Sequence, residues 1–181
     1  MTDYLGKDIF KLGFGLMRLP KKEDGTIDID HTSKMVDAFI AAGGQYFDTA
    51  YVYENGESER AFKLAVADRY PRERYLVCTK MNAWLRKEDE ASTKQQFFTS
   101  LERTGAGYFD FYLLHSLQRN NYKLYDEFGL WDFLKEQKDK GLIPMHLSLP
   151  GPSVMPLPST GSLRFFPACQ TLNRWRTISP T

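Results

Sequence analysis

Polar residues that close short apolar runs recur in this chain at a nearly constant interval, and that interval restricts the fold more than any other property. Gly15 lies in FKLGFGL, Asp48 begins FDTAYVY after its phenylalanine, Lys80 ends LVCTK and His115 ends FYLLH. The separations are 33, 32 and 35 residues, the length of a strand, a helix and two short connections. Asp48, Lys80 and His115 each end a β-branched or aromatic run, so each polar group falls where a buried strand emerges. The period therefore predicts a parallel α/β array with ionisable chemistry at its strand ends.

Four units can be traced. Strands are predicted at Phe10 to Leu16, Tyr46 to Asp48, Tyr75 to Thr79 and Phe109 to Leu114. Between them, helices start near Asp30, which can cap, near Ser58, and at Ser92. The first two carry apolar stripes of Met35, Val36, Phe39 and Ile40 and of Ala61, Phe62, Ala65 and Val66, and the third carries Phe97, Phe98 and Leu101. A last helix over about 125–140 turns Phe128, Trp131 and Leu134 inward and stops at Gly141.

A fifth strand is due over Leu142 to Leu149, but the sequence there reads LIPMHLSLP, and proline removes a ladder donor. Composition changes at the same point. All 23 acidic residues lie at or before Asp139, and seven of the nine prolines fall from Pro144 onward. The chain thus divides into a domain over 1–143 and a Pro-rich irregular tail over 144–181, with the fifth unit absent or broken.

The remaining composition narrows the class of protein. With 181 residues and 42% hydrophobic content the chain can bury one core. It has no run near the ~18 apolar residues of a membrane helix and no secretory pattern at its start, so a soluble cytoplasmic protein is expected. Cys78 and Cys169 form no disulfide framework. Net charge is +1, and the tail arginines Arg164, Arg174 and Arg176 make no patterned basic face, which argues against nucleic acid. His31 and His146 lack partners at ligand spacing, so no metal is expected.

Asp48, Tyr53, Lys80 and His115 together suggest a proton-donating site. An isolated tyrosine is a poor acid at neutral pH, and a nearby ammonium favours its phenolate. At ~4 Å and an effective dielectric of ~20 that attraction is about 4 kcal/mol before desolvation. Lys80 can supply the charge, Asp48 can hold and aim it, and His115 can either hydrogen-bond a carbonyl or share the proton with the tyrosine. Gly13 and Gly15 do not make a dinucleotide fingerprint, because the third glycine would fall at Arg18. They either let a ligand approach the strand end, with Met17 and Arg18 at its rim, or form an ordinary turn. Cys78 alternates with Lys80 and reads as a small core residue, while Trp84 either walls a pocket or packs in a loop.

GFGLMRLP, FDTAYVY followed by Glu57 and Glu59, the lysine of LVCTK and the histidine of FYLLH resemble the motifs of the aldo-keto reductases, in order, over about residues 4–143. The resemblance implies a (β/α)₈ TIM barrel, of which about four βα units are present here as a half barrel. It also implies hydride transfer from NADPH to an aldehyde or ketone, a small-molecule carbonyl substrate. By position, Tyr53 would be the proton donor, Asp48 and Lys80 its tuning pair, and His115 the residue orienting the carbonyl. Gly15, Leu16 and Met17, with Asp48, would lie at the nicotinamide.

After KGLI the pattern of that family stops, and the units that would hold most of the cofactor are missing. A shifted reading frame or misjoined gene from about Pro144 is the expectation, with turnover by this chain lost or weak. The alternatives are a non-catalytic nucleotide-binding or docking fragment and a non-functional gene fragment. Four strands without closure would also leave the first and fourth unpaired along their outer edges, predicting a marginal, aggregation-prone fold.

Overall fold

A computed structural model describes residues 10–84, 89–144, 146–147 and 164–167, the last two segments as backbone. The chain start, the proline-rich stretch 148–163 and Cys169 lie outside the described residues.

The predicted alternation is present. In chain order the main elements are β1 (Leu12–Gly15), α1 (Ile29–Ala41), β2 (Tyr46–Asp48), α2 (Glu57–Phe62), β3 (Leu76–Met81), α3 (Glu90–Thr104) and β4 (Phe111–Leu114). Strands β1 to β4 are sequential neighbours, all parallel, as in consecutive units of a (β/α)₈ barrel. Helix α2 runs on through a wider turn at Lys63–Ala67 that buries Ala65 and Val66. Two caps sit slightly upstream of their expected positions. Asp28, not Asp30, caps α1 by accepting from the His31 N–H at 2.9 Å. Asp89 caps α3 in a reciprocal box with Ser92, which is therefore the third helical residue and not the first.

The expected last helix is two helices, α4 (Tyr122–Glu127) and α5 (Leu130–Asp139). Gly129 adopts φ +56° between them, a left-handed conformation that breaks the hydrogen-bond ladder. Of the two adjacent phenylalanines of α3, Phe98 is the one that faces outward. It is 41% exposed, because neighbouring helix positions diverge by ~100° and α3 commits Phe97, Gln96 and Ser100 to the core.

The sheet edges also differ from expectation. The sheet has six strands in the order β5-β4-β3-β2-β1-β6, where β5 is His146–Leu147 and β6 is Arg164–Pro167. Both new strands are parallel to their neighbours. The open N–H and C=O groups along β1 and β4 provide the reason, since an unpaired edge recruits any available extended segment. Pro144 does not interrupt the ladder, because β5 begins two residues after it. Pro167 ends an edge strand, where proline is tolerated.

Alternation along the strands sorts the side chains into two faces. Phe14, Phe47, Val77 and Tyr112 pack under the helices with Met35, Phe39, Phe62, Phe97 and Leu134. Tyr46, Cys78 and Phe111 form a smaller cluster with Leu76 and Leu113. No helix among the described residues is long and apolar enough to cross a membrane.

Candidate active site

The face of the small cluster carries the chemistry. Asp48 lies two residues beyond Tyr46, Lys80 two beyond Cys78, and His115 two beyond Leu113, so strand parity puts all three on that face at the strand ends. Register completes the alignment. Gly15 pairs with Asp48, Asp48 with Cys78, and Lys80 with Leu113. Backbone bonds prolong the ladder beyond the strands: Tyr51 donates to the Lys80 carbonyl at 3.1 Å, and His115 donates to that of Met81 at 2.9 Å.

Tyr53 arrives from a turn and not from a strand. It opens the tight turn Tyr53–Gly56, in which Glu54, Asn55 and Gly56 have φ of 48°, 56° and 95°. Lys80 Nζ joins the group. It donates to Asp48 Oδ1 at 2.6 Å, to the Thr49 carbonyl at 2.7 Å and to Tyr53 Oη at 3.3 Å. The His115 ring meets the Tyr53 ring edge to face, 5.5 Å between centroids.

Burial shapes the charges. The lysine and aspartate side chains are only 11% and 15% exposed. Desolvation is the largest influence on the Lys80 ammonium and opposes it, but Asp48 foremost, together with Cys78 and Tyr53, outweighs it and holds the lysine protonated above its usual range. Burial likewise lifts Asp48, with Lys80 opposing. Burial, then the Lys80 charge, pushes His115 down to about 4, so its imidazole is neutral at neutral pH. Its Nδ1 is buried without a hydrogen-bond partner. Cys78 is fully buried and its thiol is pushed up to about 12 by desolvation, which makes it a core residue and not a nucleophile.

The residues expected near a cofactor have separate fates. Gly15 ends β1 beside Asp48, and Met17 is half exposed at the rim. Leu16 is fully buried, its N–H donates to the Asp48 carbonyl at 2.8 Å, and its own carbonyl accepts from Ser58 Oγ at 2.9 Å. Trp84 is 40% exposed, and its Nε1 donates to the His115 carbonyl at 3.3 Å.

Glu59 belongs to the motif that carries the resemblance, but the sequence assigned it no role in supporting this cluster. Glu59 on α2 has no exposed side-chain surface, accepts from Thr79 Oγ1 at 2.7 Å and lies 3.5 Å from Arg103 of α3. A signal was available in the sequence, because Glu59 shares the helical stripe of Phe62 and Val66 and is a carboxylate in an apolar row.

Comparison with known proteins gives the family and the fold. The profile of the aldo/keto reductase family matches residues 11–145. An aldo-keto reductase from Mycolicibacterium smegmatis is 30% identical over 132 residues, which are 73% of this chain and 44% of that protein. The aldo-keto reductase of Klebsiella pneumoniae crystallised with NADPH superposes with a TM-score of 0.59 at 21% identity, over 75% of this chain and 44% of that one. The holo form of an aldo-keto reductase from Bacillus halodurans gives 0.58 at 26% identity, over 77% and 45%. The chain thus spans less than half the length of each.

Proposed function

We infer that this chain, which belongs to the aldo/keto reductase family, carries the proton-donating side of a site that reduces an aldehyde or ketone with NADPH. The observation that carries the reading is the position of Lys80 Nζ, in contact with both the Asp48 carboxylate and the Tyr53 hydroxyl.

Tyr53 is the proton donor. As a carbonyl oxygen gains negative charge, the Oη–H bond breaks, a new O–H bond forms on the substrate, and the phenolate left behind faces the Lys80 ammonium at 3.3 Å. Asp48 keeps that ammonium charged and aimed. The neutral His115 ring donates one N–H to the same carbonyl oxygen and orients it. When bound, the nicotinamide supplies the hydride that reduces the carbonyl carbon. The residues present fit its reactive end: Gly15 ends β1 with no side chain, paired to Asp48, Met17 offers an exposed apolar side chain, and Asp48 on β2 lies between β1 and Lys80. Leu16, fully buried, shapes this ledge from beneath.

The test pairs an NADPH titration by fluorescence with NADPH oxidation in the presence of simple aldehydes. Saturable binding and turnover are expected, with Tyr53→Phe lowering turnover by about 10²- to 10⁴-fold and leaving binding intact. Binding without reduction would favour a docking role and refute catalysis, and a Tyr53→Phe variant of unchanged rate would refute the donor assignment.

A further inference from the structure

We propose that Arg103, on the last turn of α3 and away from the reacting atoms, is the positioning residue that holds Tyr53 in place, an inference that rests on the role assigned to Tyr53 above. The turn after Tyr53 needs an external hold. Glu54 and Asn55 both occupy left-handed backbone conformations, which non-glycine residues keep only where their surroundings over-determine them. The N-cap of the turn makes no side-chain hydrogen bond, and Glu54 is tied from outside only at its carboxylate, by Lys21 at 2.7 Å.

The Arg103 guanidinium supplies that hold on both sides of Tyr53. Upstream, Nη1 donates to the Tyr51 carbonyl at 3.2 Å, and the group lies over the Tyr51 ring at 4.5 Å. Downstream, it packs against Gly56 so closely that a β-carbon there would stand 2.6 Å from the guanidinium carbon. Gly56 suits the turn through its φ of +95°, and a β-carbon there would displace the Arg103 guanidinium.

Glu59 anchors the arginine in turn. Its Oε2 lies 3.5 Å from Nη1, and its Oε1 accepts from Thr79, the residue before Lys80. One polar chain thus runs from the turn carrying Tyr53 through Arg103, Glu59 and Thr79 to the strand carrying Lys80. It couples the two groups whose separation decides proton transfer, and a misplacement of ~1 Å is enough to impair such a step.

The test reads geometry directly and needs no turnover. In the full chain, the nuclear Overhauser contact between the Tyr53 and His115 rings reports whether Tyr53 is seated, Tyr53→Phe assigning the signal. Arg103→Met and Arg103→Lys should both keep the far-ultraviolet dichroism of the parent and lose that contact, the lysine because it cannot stack and fork as a guanidinium does. A folded variant that retains the contact overturns the proposal. Unfolding of both variants overturns it too, because Arg103 would then support the whole fold and not this turn. If the parent shows the contact but reduces no carbonyl, the enzymatic reading fails while the positioning role is judged on the variants alone.

Discussion

Replacing Lys80 with methionine removes one cation and the donor of three hydrogen bonds, and the size of the resulting loss can be worked from the structure. The ammonium lies 2.6 Å from Asp48 Oδ1 and 2.7 Å from the Thr49 carbonyl, with both side chains of the ion pair mostly buried. At an effective dielectric of ~20 the ion pair attracts by about 6 kcal/mol, most of it offset by the desolvation of two charges. Deleting one partner leaves the other desolvated and uncompensated, so Lys80→Met should lose about 3–5 kcal/mol at neutral pH. The Asp48 carboxyl, already lifted by burial, then rises further because the opposing ammonium is gone. Its folded-state pKa exceeds its unfolded one, the folded state binds the extra proton, and the deficit shrinks as pH falls through that folded value. Urea denaturation at neutral pH and near pH 5 checks both points. The double variant Lys80→Met/Asp48→Asn should regain about 2 kcal/mol relative to the sum of the single losses. A loss below about 1 kcal/mol for Lys80→Met, or a deficit that grows on acidification, would refute a desolvated pair.

Two further outcomes are expected. His115, whose ordinary value is 6.5, should titrate near 4 in an imidazole proton NMR titration. Because the folded state resists protonation, the His115 contribution to stability is whole above about 6.5 and declines as pH falls towards 4; a midpoint near 6.5 would contradict the buried placement. Gly44→Ala should destabilise the chain by about 1–3 kcal/mol in urea, since its β-carbon would meet the Phe39 ring at 2.4 Å. Phe39 is itself wedged against Phe14 and Phe47 and cannot swing clear, so an unchanged midpoint would show that the aromatic cluster yields.

Much of the scaffold could be read from local pattern. Apolar stripes located α1, α2 and α3 to within a few residues, although caps at Asp28 and Asp89 began two of them slightly early. Local pattern falls short where two residues compete for one role. Phe97 and Phe98 are equally apolar, and only packing against β4 and α5 decides that Phe97 is buried. Gly129 sits within a helical pattern, and its left-handed φ, not its neighbours, divides α4 from α5. The tail reads as irregular because prolines dominate it, yet β5 and β6 form against edges whose demand for partners is not written in the tail itself.

The order of the units, the strand ends at Asp48, Lys80 and His115, and the parity that puts them on one face follow from the chain alone, because a strand alternates sides every residue wherever it lies. The 2.6 Å and 3.3 Å contacts of Lys80 and the ring pair of Tyr53 with His115 depend on sheet register and on a turn of three left-handed residues. So does the buried link from Glu59 to Arg103, which spans two helices. Such distances are properties of elements brought together, set by how backbones pair and pack across the fold, and no stretch of sequence determines them by itself.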